Sequence, residues 1–209
     1  MNHAAQVRQF MARKMPAFFL RNAGTTVFDA LAGRRVLVIA DAENLSFSLH
    51  RQGRDLDYRK LLQAIKSRAK SVTAHAFACV EPGAAAQFAN EYFAHAGWLS
   101  HVRPIQRVAA HDGMRRRSNC DNYFLLGAGH FIGQSAADTV VLATGDGDLA
   151  ADAITHIRSL PKHREIVTMG IPGSISRRLD PQHNPDVAAL IELGRDMAVP
   201  INGGGSHGQ

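Results

Sequence analysis

A run of β-branched and aliphatic residues, Thr139-Val140-Val141-Leu142-Ala143, passes directly into Thr144-Gly145-Asp146-Gly147-Asp148, and a helical pattern follows. A short, continuous apolar stretch of this kind reads as a strand covered on both faces, the habit of parallel sheets. An earlier segment repeats the design: Val36-Leu37-Val38-Ile39-Ala40 ends in Asp41-Ala42-Glu43-Asn44. Two buried strands that both finish in acids restrict the chain to α/β architectures and deliver carboxylates to a sheet edge.

The rest of the chain alternates in the same way. Helices are expected over residues 57–70, with Asp55 or Asp57 as N-cap, and over residues 82–96, 120–132, 146–160 and 186–193. Strands are expected over 71–80, within 98–108, and over 139–143 and 165–169, with a polar, basic loop at 111–119. Alternating strands and helices predict a parallel sheet of about five strands covered on both faces. Ligands in such sheets bind beyond the carboxyl ends of the strands, where the strand order reverses. If the first and fourth strands are neighbours there, Asp41 meets Asp146 and Asp148.

The 209 residues suit one domain with appendages, and 45% hydrophobic content supplies a core. A net charge of +6 favours polyanionic partners, nucleic acid first. With only 18 acids in the chain, their clustering at strand ends gains weight. Cys79 and Cys120 show no pairing pattern and are expected as reduced thiols of a cytoplasmic protein. No apolar run reaches the length of a membrane span. Residues 1–33 form a basic, amphipathic N-terminal extension, with Val7, Phe10, Met11, Met15, Phe18 and Phe19 at helical spacing. A helix docked on the domain or on a second copy is preferred over a transit peptide or membrane-surface helix, so self-association is an expectation. Residues 34–195 are expected to form the folded domain and 196–209 a flexible, Gly-rich tail.

Were Asp41, Asp121, Asp146 and Asp148 to converge, two carboxylates about 4 Å apart would repel by roughly 4 kcal/mol at an effective dielectric near 20. A helix N-terminus offsets only about 0.3–1 kcal/mol for each acid. Such a group must bind protons or a cation, and oxygen donors without His or Cys favour Mg²⁺ or Mn²⁺. The plainer account, an acid that caps a helix, is about equally good for Asp146 and Asp148 and better for Asp121.

These motifs resemble the NYN domain, a branch of the PIN-like nuclease superfamily. The likeness rests on Asp41-Ala42-Glu43-Asn44, on Asp121 opening a mid-chain helix, and on Thr144-Gly145-Asp146-Gly147-Asp148. It implies a three-layer α/β/α sandwich and a Mg²⁺- or Mn²⁺-dependent endoribonuclease. Asp41, Asp121, Asp146 and Asp148 would be the metal site, Asn44 would orient the site or contact substrate, and Thr144 would support the metal shell. Ala42, Thr144 and Leu149 stand where the family commonly has Gly, Ser and Phe, which leaves the carboxylates intact. Arg115, Arg116 and Arg117, with Arg177 and Arg178 beside Ser174 and Ser176, are candidate phosphate contacts, RNA being preferred over DNA.

Two other enzyme classes fit poorly. A haloacid-dehalogenase-like phosphatase wants Asp-x-Asp where this chain has Asp41-Ala42-Glu43, and a lysine that is missing between Lys70 and Lys162. A dinucleotide fold wants its glycines after the first strand, whereas Gly127-Ala128-Gly129 lies in a helical pattern. The alternative from another class is a catalytically inactive, basic RNA-binding or scaffold module with the same fold.

Overall fold

The computed structural model describes residues 27–110, 113–117 and 120–201, without the side chains of 84 and 107–117. The expectations for the N-terminal segment before residue 27 and for the tail after 201 lie outside the described residues. Chain order is β1 (Arg35–Asp41), α1 (Ala42–His50), β2 (Arg54–Leu56), α2 (Tyr58–Lys66), β3 (Ser71–Val80), α3 (Ala84–His95), β4 (Leu99–Pro104), β5 (Gln106–Ala110), β6 (Gly113–Arg117), α4 (Cys120–Gln134), β7 (Thr139–Ala143), α5 (Gly147–Ser159), β8 (Glu165–Gly170), β9 (Ala189–Glu192) and β10 (Ala198–Pro200).

The main sheet has six strands in the order β4-β3-β1-β7-β8-β9, all parallel. Chain progress runs outward in one direction from β1 and in the other from β7, so the strand order reverses between these two neighbours. Alternation along the central strands sorts their side chains into two layers. Val36, Val38 and Ala40 of β1, with Val141 and Ala143 of β7, join the core under α1–α3, where Leu45, Leu49, Leu61, Ile65 and Phe93 pack. Leu37 and Ile39, with Val140 and Leu142, join the opposite core, built by Phe124, Ala128 and Ile132 of α4 and Leu149, Ala153 and Ile157 of α5. The result is a three-layer α/β/α sandwich. Close approach of α4 depends on Gly127, because a Cβ there would lie 2.3 Å from the Phe77 ring.

Four local expectations are corrected. Residues 186–193 do not form a helix: Ala189–Glu192 is the parallel edge strand beside β8. A helix confined between Pro185 and Gly194 would have only eight residues, too short to hold without tertiary support, and the segment completes the open edge of the sheet instead. The basic segment is not all loop, since Gly113–Arg117 pairs antiparallel with Gln106–Ala110. The third strand of the main sheet accordingly ends at Pro104, on an edge where the missing N–H is tolerated. Lastly, Ala198–Pro200, expected within the tail, pairs antiparallel with β2. Phe28 and Leu31, placed by sequence in the N-terminal extension, are buried in the α1–α3 core. Among the described residues no helix is long and apolar enough to cross a membrane.

Candidate metal and nucleic-acid site

β1 and β7 end side by side, and their first residues beyond the ladder build the site. Asp41 closes β1 and caps α1, its Oδ1 accepting the Asn44 N–H at 3.1 Å. Its other oxygen, Oδ2, accepts from the Thr144 hydroxyl at 3.4 Å. That hydroxyl oxygen in turn accepts the Asp146 N–H at 3.2 Å. From α1, Asn44 Oδ1 reaches across to accept the Gly145 N–H at 2.8 Å. The loops after β1 and β7 are thus joined by side chains of Asp41, Asn44 and Thr144. Gly145 is required where they meet: a Cβ would stand 2.5 Å from the Ser174 carbonyl oxygen and 3.0 Å from Asn44 Oδ1.

Asp146 caps α5, and both capping bonds, from the Asp148 and Leu149 N–H groups, fall on Oδ1. Among the described residues Oδ2 takes no hydrogen bond. Capping and ligation are therefore compatible here, because they use different oxygens of one carboxylate. Asp148 behaves differently. Its carboxylate is 88% exposed and pairs with Arg178 Nη1 at the rim. Arg178 follows Ser176, whose side chain accepts the Arg178 N–H and whose own N–H reaches the Gly145 carbonyl. The absence of a side chain at Gly147 permits this approach, since a Cβ there would lie 2.2 Å from Ser176 Oγ.

Asp121, exposed in the first turn of α4, interacts electrostatically with Asp41. Burial is the main cause that pushes the Asp41 carboxyl up to about 6, with the charges of Glu43 and Asp121 adding to it. The Asn44 N–H and the Thr144 hydroxyl work in the opposite direction. Glu43 was not among the residues singled out from sequence, although it stands two positions after Asp41 and in the first turn of α1. Its Oε2 is sealed from solvent without a hydrogen-bond partner among the described residues. A buried acid of raised pKa, with two further carboxylates in electrostatic reach, suits a hard divalent cation. Asp146 is joined to it through Thr144, and among the described residues no three of the four aspartates lie within 4.8 Å of one another, so shared ligation requires their side chains to move inward. Arg177 and Arg178 lie exposed on the same rim. Arg115, Arg116 and Arg117 occupy β6, just before α4, opposite Val108, Arg107 and Gln106.

The model of the NYN domain family matches residues 35–182. Comparison with curated proteins returned no match. Among solved structures, the chain is similar to a protein of unknown function from Vibrio parahaemolyticus, with 16% identity and a TM-score of 0.62 over 80% of this chain and 97% of that one. That likeness concerns the fold. Glutamyl-tRNA reductase from Methanopyrus kandleri aligns over 91% of this chain and 42% of its own length at 12% identity, but the TM-score of 0.38 carries no inference. With the family model spanning both acidic strand ends and the helix that opens at Cys120, the chain belongs to the NYN domain family.

Proposed function

We propose that this protein is a metal-dependent nuclease, an endoribonuclease that holds Mg²⁺ or Mn²⁺ with Asp41, Asp121, Asp146 and Asp148. NYN membership supports nuclease chemistry at the coarse level. The observation that carries the finer assignment is the hydrogen-bonded path Asp41–Thr144–Asp146 at the strand-order reversal. It ties the Asp41 carboxylate, through the Thr144 hydroxyl, to the main-chain N–H of Asp146, and so joins two distant acidic motifs.

The bound cation would supply an activated water and offset charge that builds on the scissile phosphate. Thr144 fixes the orientation of Asp41, and Asn44 fixes the loop that carries Asp146. Arg177 and Arg178, with Arg115–Arg117 on β6, would engage substrate phosphates, each guanidinium by paired hydrogen bonds. Released from Asp148 by substrate, Arg178 would leave that carboxylate for the cation. The proposal extends to a cytoplasmic setting, RNA in preference to DNA, and self-association through the N-terminal segment.

Asp146→Asn is the suitable test, because asparagine caps a helix as well as aspartate does and removes only the charge. Labelled RNA and DNA are incubated with wild-type protein and the variant in Mg²⁺, in Mn²⁺ and in EDTA. Metal-dependent cleavage that the variant lacks is expected. Binding without cleavage, equal in both proteins, would instead identify an RNA-binding module.

A further inference from the structure

The chain has two cysteines, and the fold brings them together. Cys79 lies near the end of β3 and Cys120 begins α4. Both are buried, with Ile105 packed against them, and their sulfurs are near neighbours. Glu43, from the first turn of α1, is the third member of the cluster. The two sulfurs and one Glu43 carboxylate oxygen all lie within 4.8 Å of one another. Glu43 as a whole is only partly buried, but one oxygen of its carboxylate, Oε2, is shut away from water and has no hydrogen-bond partner among the described residues. A buried unpaired acceptor is costly and needs an explanation.

We propose that Cys79, Cys120 and Glu43 form a second metal site, selective for a thiophilic divalent cation of the Zn²⁺ type and adjoining the aspartate site. Donor chemistry separates the two. Thiolates select borderline and soft cations, whereas the aspartates select hard ones. The spacing fits: tetrahedral Zn²⁺ with Zn–S bonds of about 2.3 Å sets its sulfurs about 3.8 Å apart. Donors found within 4.8 Å need to contract by at most about 1 Å between the sulfurs and about 1.3 Å between sulfur and oxygen, which side-chain rotation supplies. Three protein ligands leave a fourth position open for water or another donor. A disulfide between the thiols would use the same proximity, but it leaves the sealed Glu43 oxygen unexplained. Zn²⁺ in this position ties the start of α1, the end of β3 and the start of α4 into one unit. It thereby anchors the helix turn that carries Asp121.

The full-length protein, kept reduced by a phosphine and held in excess Mg²⁺, is titrated with Co²⁺ and then Cd²⁺. A thiolate-to-metal charge-transfer band that saturates at one equivalent is expected. The band should vanish in Cys79→Ala and in Cys120→Ala and survive in Asp146→Asn, which separates this site from the nuclease site. Glu43→Gln should keep the thiols and weaken Zn²⁺ binding by about tenfold or more. Because the alanine variants risk misfolding, the wild-type protein provides a second readout: Zn²⁺ should protect both thiols from iodoacetamide, as read by peptide mass spectrometry. No band, a band persisting when both cysteines are replaced, saturation at half an equivalent, or unprotected thiols at saturating Zn²⁺ would each overturn the proposal.

Discussion

Replacing Asp41 by asparagine should stabilise the metal-free protein at neutral pH while removing its response to metal. Burial, aided by Glu43 and Asp121, raises the Asp41 carboxyl from 3.8 to about 6. A folded pKa above the unfolded one means that the folded state holds more protons between those values. Stability from Asp41 is then fully present below about pH 3.8 and is lost as pH rises through about 6. The charged form above that pH costs up to about 3 kcal/mol, from roughly two pKa units at 1.36 kcal/mol each. Asparagine removes this cost and keeps the oxygen that accepts the Asn44 N–H. It also places an NH₂ where Oδ2 accepts the Thr144 hydroxyl, a rearrangement worth about 1 kcal/mol. The net gain expected in EDTA is about 2 kcal/mol at about pH 7.5, turning into a loss of about 1 kcal/mol at about pH 4, where only the Thr144 rearrangement remains. Urea unfolding of both proteins at the two pH values measures it. Added Mn²⁺ should raise the Tm of the wild type and leave the variant unmoved. A variant less stable than wild type at neutral pH in EDTA, or a gain independent of pH, would refute the reasoning.

Other consequences can be checked with the same protein. Gly145→Ala forces a Cβ against the Ser174 carbonyl oxygen and Asn44, and should lower stability by about 1–3 kcal/mol in thermal unfolding. His75 lies buried on the sheet, its Nδ1 2.8 Å from His101 Nε2. Burial, then the neighbouring His101, lowers it from 6.5 to about 4. The unfolded chain therefore takes up the proton first, and stability should fall as pH drops from about 6.5 to about 4 by at most roughly 3 kcal/mol, less with solvent screening. His75→Phe should flatten that slope in a pH series of urea midpoints. Arg178→Gln should weaken RNA binding and reduce the salt dependence of the association constant by about one counterion, measured by titrating RNA at several salt concentrations. Unchanged salt dependence would remove Arg178 from the phosphate interface.

Much of the framework was readable locally. The runs in β1, β3, β7 and β8 are apolar because their strands are covered on both faces, and the sequence places each within a residue. Asp57 caps α2 through the Lys60 N–H, one of the two caps expected. The edge strand Ala189–Glu192 is not legible locally, because a short apolar run has no period that separates helix from strand. β8 and its open edge decide the matter. The hairpin at Gln106–Ala110 and Gly113–Arg117 was hidden for a similar reason, since a stretch of arginines reads as solvated loop until a partner strand takes up its backbone.

By itself, the sequence determined the α/β class, the two acidic strand ends and the basic character of the molecule, because hydrophobic period and residue chemistry are local properties. Only the tertiary structure decided which side chains meet. The β1–β7 neighbour relation set Asp41, Asn44, Thr144 and Asp146 into one hydrogen-bonded group. Packing of the loop after β8 drew Asp148 to Arg178 at the rim, and the adjacent ends of β3 and α4 joined Cys79 to Cys120 beside Glu43. Each of these encounters spans a separation along the chain that no local pattern encodes, and arises only when parallel strands bring distant carboxyl ends to the same edge.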